Sequence, residues 1–206
     1  MLKIGGAGLV GTGLAGCLGG GGGSDCDAEQ ESPVESLPAP VLGDPDADVT
    51  VMAFEDYACP HCQTYALDVL PEIKRRYVET GKIRYEHHDF PIPVDGRWSW
   101  AVAGAARAVQ DTVGDEAFFT YSRLAFENLG NYSMDLLGSL AEEVDADPAT
   151  VKSAARNDTY RPVLEADRTR GQELGLDGTP EVYVNGQATD GYDVDTVTAA
   201  IDAALG

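Results

Sequence analysis

The sequence predicts an α/β domain in which a long helical insertion interrupts the sheet. Two observations carry this prediction. Residues 49–56 (VTVMAFED) and 82–90 (KIRYEHHDF) are apolar and β-branched runs of strand length, and they flank a predicted helix. A further strand, 181–186 (EVYVNG), follows only after a helical stretch at about 96–176.

The first predicted helix begins at Cys59-Pro60, because proline suits the first turn of a helix. Apolar residues follow at helical spacing, namely Leu67, Leu70, Ile73 and Tyr77, and Gly81 ends the helix. A strand, a helix and a strand joined by short links imply two parallel strands with a right-handed crossover.

The insertion is predicted to contain several helices. Three segments have a helical pattern, namely WSWAVAGAARAVQ, DEAFFTYSRLAFENL and SMDLLGSLAEEV. Asp147-Pro148 predicts the start of another helix, with Asp147 as its N-cap and proline at the first helical position. A last helix is predicted to have Pro162 in its first turn. After the strand at 181–186, Asn185-Gly186 predicts a hairpin turn and a short strand near Ala188. An amphipathic helix over 194–205 closes the chain.

The charge of the chain restricts its partners. Among 206 residues, 35 are acidic and 14 are basic, which gives a formal net charge of −21. Such a surface repels nucleic acid and anionic lipid headgroups, so neither is an expected partner. The Asp-rich, Lys-poor balance resembles proteins of extremely halophilic archaea; the alternative is a highly soluble acidic protein without that adaptation.

The N-terminal part is predicted to lie outside the folded domain. Residues 1–17 have the shape of an export signal, and Leu14-Ala15-Gly16-Cys17 looks like a lipobox in which Cys17 receives lipid. No twin-arginine pair is present, and the alternative is a glycine-rich leader with an incidental cysteine. Residues 18–38 are predicted to be a disordered acidic and glycine-rich tether. Cys26 lies within it; the favoured interpretation is an idle surface thiol, and the alternative is a mixed disulfide with the motif cysteines or with another protein. The folded domain is expected over 39–206.

Cys59 and Cys62 are the candidate reactive residues. Their spacing puts them on one helix face, close enough to form a disulfide, and the helix N-terminus favours a thiolate at Cys59. His61 adds a donor or a positive charge. Two alternatives remain: a structural disulfide, which would close a very short loop, and a zinc site. For zinc no second CxxC exists, and of the adjacent His87 and His88 at most one could contribute.

A second segment, GTPEVYVNG, points to the same chemistry. Pro180 stands at the entry to a strand, directly after Thr179. A cis bond there would bring the backbone of Thr179 to the cysteine pair, where an extended substrate could add as a strand. The alternative is an ordinary trans proline that ends a loop.

Together these segments resemble the DsbA-like thiol:disulfide oxidoreductases of the thioredoxin superfamily. The resemblance runs from about Pro40 to the C-terminus and rests on PVLGDPDADVTVMAFEDYACPHC, the helical insertion and GTPEVYVNG. It implies a thioredoxin fold with an inserted helical subdomain, and no small-molecule cofactor, since electrons pass through the disulfide. The site residues that it implies are Cys59 as attacking cysteine, Cys62 as resolving cysteine, Pro60 and His61 between them, and Thr179 and Pro180 lining the substrate groove.

One position departs from the family. Six residues before the first cysteine, many members carry a buried acid that moves protons for the inner cysteine, but this chain has Ala53. Glu55 lies two residues further on the same strand face and is the candidate proton relay. The alternative interpretation of Glu55 is a solvated acid.

The expected function is disulfide formation in proteins outside the cytoplasm, where disulfides persist. The expected enzyme is a dithiol oxidase, anchored to the outer face of the cell membrane by Cys17, that acts on thiol-containing exported proteins and is reoxidised by a membrane redox partner. No metal is expected, and a monomer is the default. The alternatives are a reductase or isomerase of the same fold, and a non-catalytic surface lipoprotein that binds a ligand or metal.

Overall fold

A computed structural model describes residues 32–92 and 94–206 of the chain. Five strands form one sheet in the order β1-β3-β2-β4-β5. The strands are β1 (Val41–Gly43), β2 (Val49–Glu55), β3 (Ile83–Asp89), β4 (Glu181–Val184) and β5 (Gln187–Ala188). The central pair β2 and β3 is parallel, as predicted, and the other pairs are antiparallel.

The first helix, α1, follows β2 directly and runs through four consecutive stretches, Pro60–Thr64, Tyr65–Val69, Leu70–Ile73 and Lys74–Val78. The second and fourth stretches have wide, π-type turns. Pro71 has no backbone N–H, and just before it the N–H of Leu70 donates to the carbonyl of Tyr65, five residues back. The missing donor accounts for the wide turn before Pro71, because the ordinary ladder cannot continue through a proline.

Five helices separate β3 from β4, and a last helix follows β5. They are α2 (Trp98–Thr112), α3 (Asp115–Glu127), α4 (Met134–Glu142), α5 (Pro148–Asn157), α6 (Arg161–Glu173) and α7 (Val194–Leu205). The predicted cap at α5 is confirmed, since the Asp147 carboxylate accepts the N–H of Thr150 at 2.9 Å. In the residues described, no helix combines the length and the apolar character that crossing a bilayer requires.

Strand β2 is buried on both faces of the sheet, as suits a central strand. Val51 and Ala53 belong to the main core, which also includes residues of α1, the insertion and α7. Met52 and Phe54 alternate with them and belong to a smaller apolar cluster. Packing against the two clusters fixes the orientation of β2. The carboxyl end of β2 thereby determines where α1 begins.

The folded domain begins earlier than the composition indicates. The end of the segment 18–38, predicted to be a tether, contacts the insertion: the N–H of Val34 donates to the carbonyl of Thr159 at 2.8 Å. The carbonyl of Pro38 accepts from the side chain of Gln110 at 3.0 Å. Val34 and Leu37 also pack against the main core, and the average composition of the whole stretch does not reveal these two apolar positions.

Candidate active site

The two cysteines lie where β2 ends and α1 begins. Cys59 is the N-cap residue of α1, with an extended backbone (φ −90°, ψ 121°), and Pro60 occupies the first turn as predicted. The N–H of Cys59 donates to the carbonyl of Asp56 at 3.0 Å, which closes the loop between strand and helix. Both cysteines are free thiols; Cys59 is 4% exposed and Cys62 is fully buried.

Cys59 has the properties of an activated thiol. A hydrogen bond from Cys62 is the largest of the effects that lower its pKa, from 9.0 to about 5. Burial opposes this change, whereas the Thr179 side chain and the backbone N–H groups of Cys62 and His61 assist it. The hydrogen bond from Cys62, together with the smaller effects of Thr179 and of the N–H groups in the first helical turn, therefore stabilises a thiolate at Cys59.

The pKa of Cys62 is shifted in the opposite direction from that of Cys59. Burial raises its pKa well above the usual value, and the hydrogen bond to Cys59 and the negative charge of Glu55 raise it further. The N–H of Asp56 donates to Sγ of Cys62 at 3.3 Å and opposes this increase. In the reduced pair one sulfur therefore carries a negative charge and the other keeps its proton.

The Thr179-Pro180 segment follows the insertion in the sequence and contacts the cysteine pair in the fold. Its peptide bond is cis, and the thiol of Cys59 donates to the carbonyl of Thr179 at 3.4 Å. The Thr179 hydroxyl is buried and has no hydrogen-bond partner among the described residues. It is therefore available to donate to the sulfur once Cys59 is ionised, which agrees with its lowering of the Cys59 pKa.

His61 is exposed and lies beside the loop that precedes α7. Its Nδ1 is 2.8 Å from the hydroxyl of Tyr192, and the two ring centroids are 6.0 Å apart. The contact holds the imidazole at one edge of the cysteine pair. No local pattern could indicate Tyr192 as a partner of His61, because 131 positions separate the two residues.

Glu55 is buried rather than solvated, so the interpretation as a solvated acid is wrong. Its side chain is 2% exposed, and its Oε1 lies 3.2 Å from Nδ1 of His87. Its second oxygen, Oε2, has no hydrogen-bond partner within the part of the chain that is described. Ala53 is opposite His87 in the register of β2 and β3, so the small residue lies directly beside the histidine.

Asp56 is a buried group of the site that the sequence reasoning missed. Its two carboxylate oxygens accept the N–H groups of Ala58 and Ile92, each at 2.7 Å. Burial raises its pKa to about 6, against these two hydrogen bonds. The hydrogen bond from the N–H of Ala58 to Asp56 closes an Asx turn. An aspartate in the loop just before a helix is the local signal by which the sequence could have indicated the role of Asp56.

The histidines considered for zinc do not converge on the cysteines. His87 bonds to Glu55 and Asp89, whereas His88 points to the opposite face and bonds to Glu86 and Asp167. Over residues 32–92 and 94–206, no group of three or more His, Cys, Asp or Glu side chains is arranged to hold a metal ion. Cys17 and Cys26 lie outside the described residues.

Comparisons with known proteins agree with this geometry. A family model described as thioredoxin matches residues 35–203. The chain is 28% identical over 173 residues to the disulfide bond formation protein D of Bacillus subtilis, which covers 81% of this chain and 77% of that protein. It is 31% identical over 171 residues to the probable disulfide bond formation protein D of Bacillus cereus, covering 80% and 77%.

A solved structure gives the same result for the fold. The crystal structure of oxidised BdbD from Bacillus subtilis superimposes with a TM-score of 0.75 at 27% identity. The match covers 84% of this chain and 98% of that one. The predicted α/β fold, a thioredoxin fold with an inserted helical subdomain, is thereby confirmed.

Proposed function

This chain belongs to the thioredoxin family and is a thiol:disulfide oxidoreductase, and we propose that it works as a dithiol oxidase that forms disulfides in other proteins. One observation carries the proposal: the pKa of Cys59 is lowered to about 5, whereas that of Cys62 is raised. A stabilised thiolate favours the reduced form of the pair, which makes its disulfide a strong oxidant. The relatives named for disulfide bond formation support the same direction.

The reaction begins from the Cys59–Cys62 disulfide. A substrate thiolate attacks Sγ of Cys59, the less buried sulfur, the bond between the two cysteines breaks, and the sulfur of Cys62 takes up a proton. A second substrate thiolate then attacks the substrate sulfur of the mixed disulfide, and Cys59 leaves as a thiolate. The substrate dithiol has lost two electrons to the cysteine pair and two protons to the solvent, and the pair has gained two electrons and the one proton on Cys62.

The surroundings of Cys59 provide the substrate groove. The backbone of Thr179 lies at the sulfur, so an extended substrate segment pairs with it by strand addition while Pro180 shapes the groove. His61 and Pro60 form the exposed edge of the same groove. His61 tunes the thiolate through its backbone N–H, one of the groups that lower the pKa of Cys59.

Glu55 serves as the proton relay of Cys62. It is buried, its charge acts on Cys62, and its Oε2 has no hydrogen-bond partner within the described chain. The sulfur of Cys62 is a poor leaving group as a bare thiolate, because burial and this negative charge both disfavour its ionised form. A proton delivered through Glu55 removes that obstacle.

The enzyme works outside the cytoplasm, on thiol-containing exported proteins, and a membrane redox partner returns the pair to the disulfide. The lipobox at Leu14-Ala15-Gly16-Cys17 supports a lipid anchor on Cys17. Cell fractionation tests this location: the unaltered chain is expected with membranes, and the Cys17→Ser variant in the soluble extracytoplasmic fraction. Membrane retention of the variant would contradict the lipid anchor and would leave the thiol chemistry untouched.

The reduction potential of the Cys59–Cys62 couple tests the direction of the reaction. A value near about −120 mV, typical of a strong oxidant, is expected, and one near about −270 mV would instead indicate a reductase. The measurement uses equilibration with glutathione buffers at high salt, with Cys62→Ser as the variant that cannot form the pair. Alkylation of the reduced protein at different pH values adds a second test: a Cys59 that titrates near the free value of about 8.5 would indicate a non-catalytic protein.

A further inference from the structure

Behind Cys62, three buried ionisable residues form a line across two strands. Glu55 on β2 lies 3.2 Å from Nδ1 of His87 on β3, and Nε2 of the same ring lies 3.3 Å from Oδ1 of Asp89. Each of these side chains is at most 2% exposed. A histidine between two carboxylates is favoured as a cation, and these two acids raise the pKa of His87 to about 9 even though burial opposes it.

The line continues into the helical insertion. Oδ2 of Asp89 accepts from Nε of Arg107 on α2 at 2.7 Å, and Nη2 of the same guanidinium donates to Asp167 on α6 at 2.5 Å. Arg107 is fully buried, and its Nη1 donates to the carbonyl of Pro38 at 3.2 Å. Charges along the line alternate in sign, so each buried charge has an opposite neighbour.

His87 is enclosed by few groups that can titrate. Its own strand supplies Asp89, β2 supplies Glu55, and the ring of Tyr57 lies 6.0 Å away. Burial raises the pKa of Tyr57 well above the usual value, so this phenol stays neutral. The ring of Phe118 from α3 also packs against His87, with the two ring centroids 5.1 Å apart. A change of charge at His87 is therefore transmitted mainly to the two carboxylates, of which only Glu55 has an oxygen without a partner among the described residues.

We propose that His87 is a positioning residue for the opening of the disulfide, in which it provides through Glu55 the proton that Cys62 takes up, and that Asp89 and Arg107 hold it in place. This inference rests on the proposed thiol–disulfide exchange. The step balances: the bond between the cysteines breaks, a bond forms from Cys59 to the substrate sulfur, and Cys62 gains a proton from the Glu55–His87 pair. His87 regains that proton from solvent before the next cycle.

The test measures how fast dithiothreitol reduces the disulfide at different pH values, with each rate divided by the concentration of the dithiothreitol thiolate at that pH. This division removes the titration of the probe itself from the profile. The rate for the unaltered protein is expected to fall as the pH passes about 9, where His87 loses its proton. His87→Gln is expected to be about a hundredfold slower at neutral pH and to lack that fall, in line with what positioned proton donors contribute.

His88→Gln is the matched control. His88 is the neighbouring histidine, equally buried, but it lies on the opposite face of the sheet and bonds to Glu86 and Asp167. The same substitution there is expected to keep both the neutral rate and the fall near pH 9. If both variants lose the same rate, the effect is one of packing and the proposal is overturned.

Three further outcomes distinguish a failure of the proposed role of His87 from a failure of the proposed function. A profile of the unaltered protein without a fall near pH 9 overturns the role of His87 and needs no variant at all, so a variant that does not fold leaves the proposal testable. Failure of the unaltered disulfide to react with the thiol at any pH would instead refute the proposed exchange reaction. A His87→Gln variant with the unaltered rate and profile would refute the role of His87 alone.

Discussion

Reduction of the Cys59–Cys62 disulfide is expected to stabilise the folded protein increasingly as the pH rises from 5 to 9. The pKa of Cys59 is about 5 in the folded protein against a usual value of 9.0. A group whose pKa is lowered by folding contributes stability that is complete above the unfolded value and is lost as the pH falls through the folded value. The oxidised protein has no Cys59 thiol, so this contribution is missing from it.

The size of the effect follows from the same shift. Each pH unit between the two values is worth at most about 1.36 kcal/mol, so at pH 7, two units above the folded value, the contribution is at most about 2.7 kcal/mol. Cys59 is buried, but Pro60 and His61, which follow it directly in the chain, are exposed, so solvent close to the sulfur screens the thiolate. With screening reducing the effect by about half, we expect about 1.4 kcal/mol at pH 7.

Urea denaturation of the oxidised and reduced proteins at several pH values provides the assay. The measured quantity is the reduced-minus-oxidised difference in the free energy of unfolding. Closure of the short loop by the disulfide adds a constant to this difference but no pH dependence. In Cys59→Ser, which cannot form the disulfide, reductant is expected to make no difference. A difference that stays flat or decreases between pH 5 and pH 9 would refute the reasoning.

Three other substitutions have expected outcomes. Thr179→Val removes a donor to the ionised sulfur and is expected to raise the pKa of Cys59 by about one unit, measured by thiolate absorbance against pH. Gly171→Ala puts a Cβ 2.6 Å from two ring carbons of Phe90 and is expected to lower the free energy of unfolding by about 1–3 kcal/mol in urea. Asn185→Ala puts a residue with a Cβ but no polar side chain on a left-handed backbone (φ 49°) and removes the oxygen that accepts from the N–H of Thr50, and it is expected to cost about 1–2 kcal/mol in the same assay.

Each of these has a control in the chain. Thr179→Ser keeps the hydroxyl and is expected to keep the low pKa; an equal rise in both variants would mean that the hydroxyl is not the cause. Gly138→Ala meets the flexible side chain of Lys152 at 3.0 Å, which can move, so little loss is expected. Glycine adopts a left-handed backbone without strain, so Asn185→Gly is expected to be less destabilising than Asn185→Ala. A larger loss of stability in Asn185→Gly would contradict the conformational explanation.

Most helices, caps and turns could be predicted from residues that lie close together in the sequence. The helix predicted over 194–205 is α7 (Val194–Leu205), and the cap predicted at Asp147 accepts hydrogen bonds as expected. Asn185-Gly186 forms the predicted turn, since both residues have a positive φ. These features depend on residues within a few positions of one another, so the sequence pattern contains the information that determines them.

What the sequence could not predict depends on distant residues. Strand β1 has three residues and is held by its pairing with β3, so no period can be read from it. The burial of Glu55 requires His87 from another strand, and the position of His87 depends in turn on Arg107 from the insertion. A pattern along one segment cannot report such a chain of long-range contacts.

The buried charges that join the insertion to the sheet differ from the surface ion pairs in their sensitivity to salt. Ion pairs on the surface, such as Arg123 with Glu127, have side chains more than 40% exposed and are screened in concentrated salt, where the Debye length is about 3 Å at 1 M. Arg107 and Asp89 have at most 1% exposure, and salt ions cannot come between them. In a chain with a formal net charge of −21, added salt therefore weakens the interactions between surface charges much more than those between the buried charges behind Cys62.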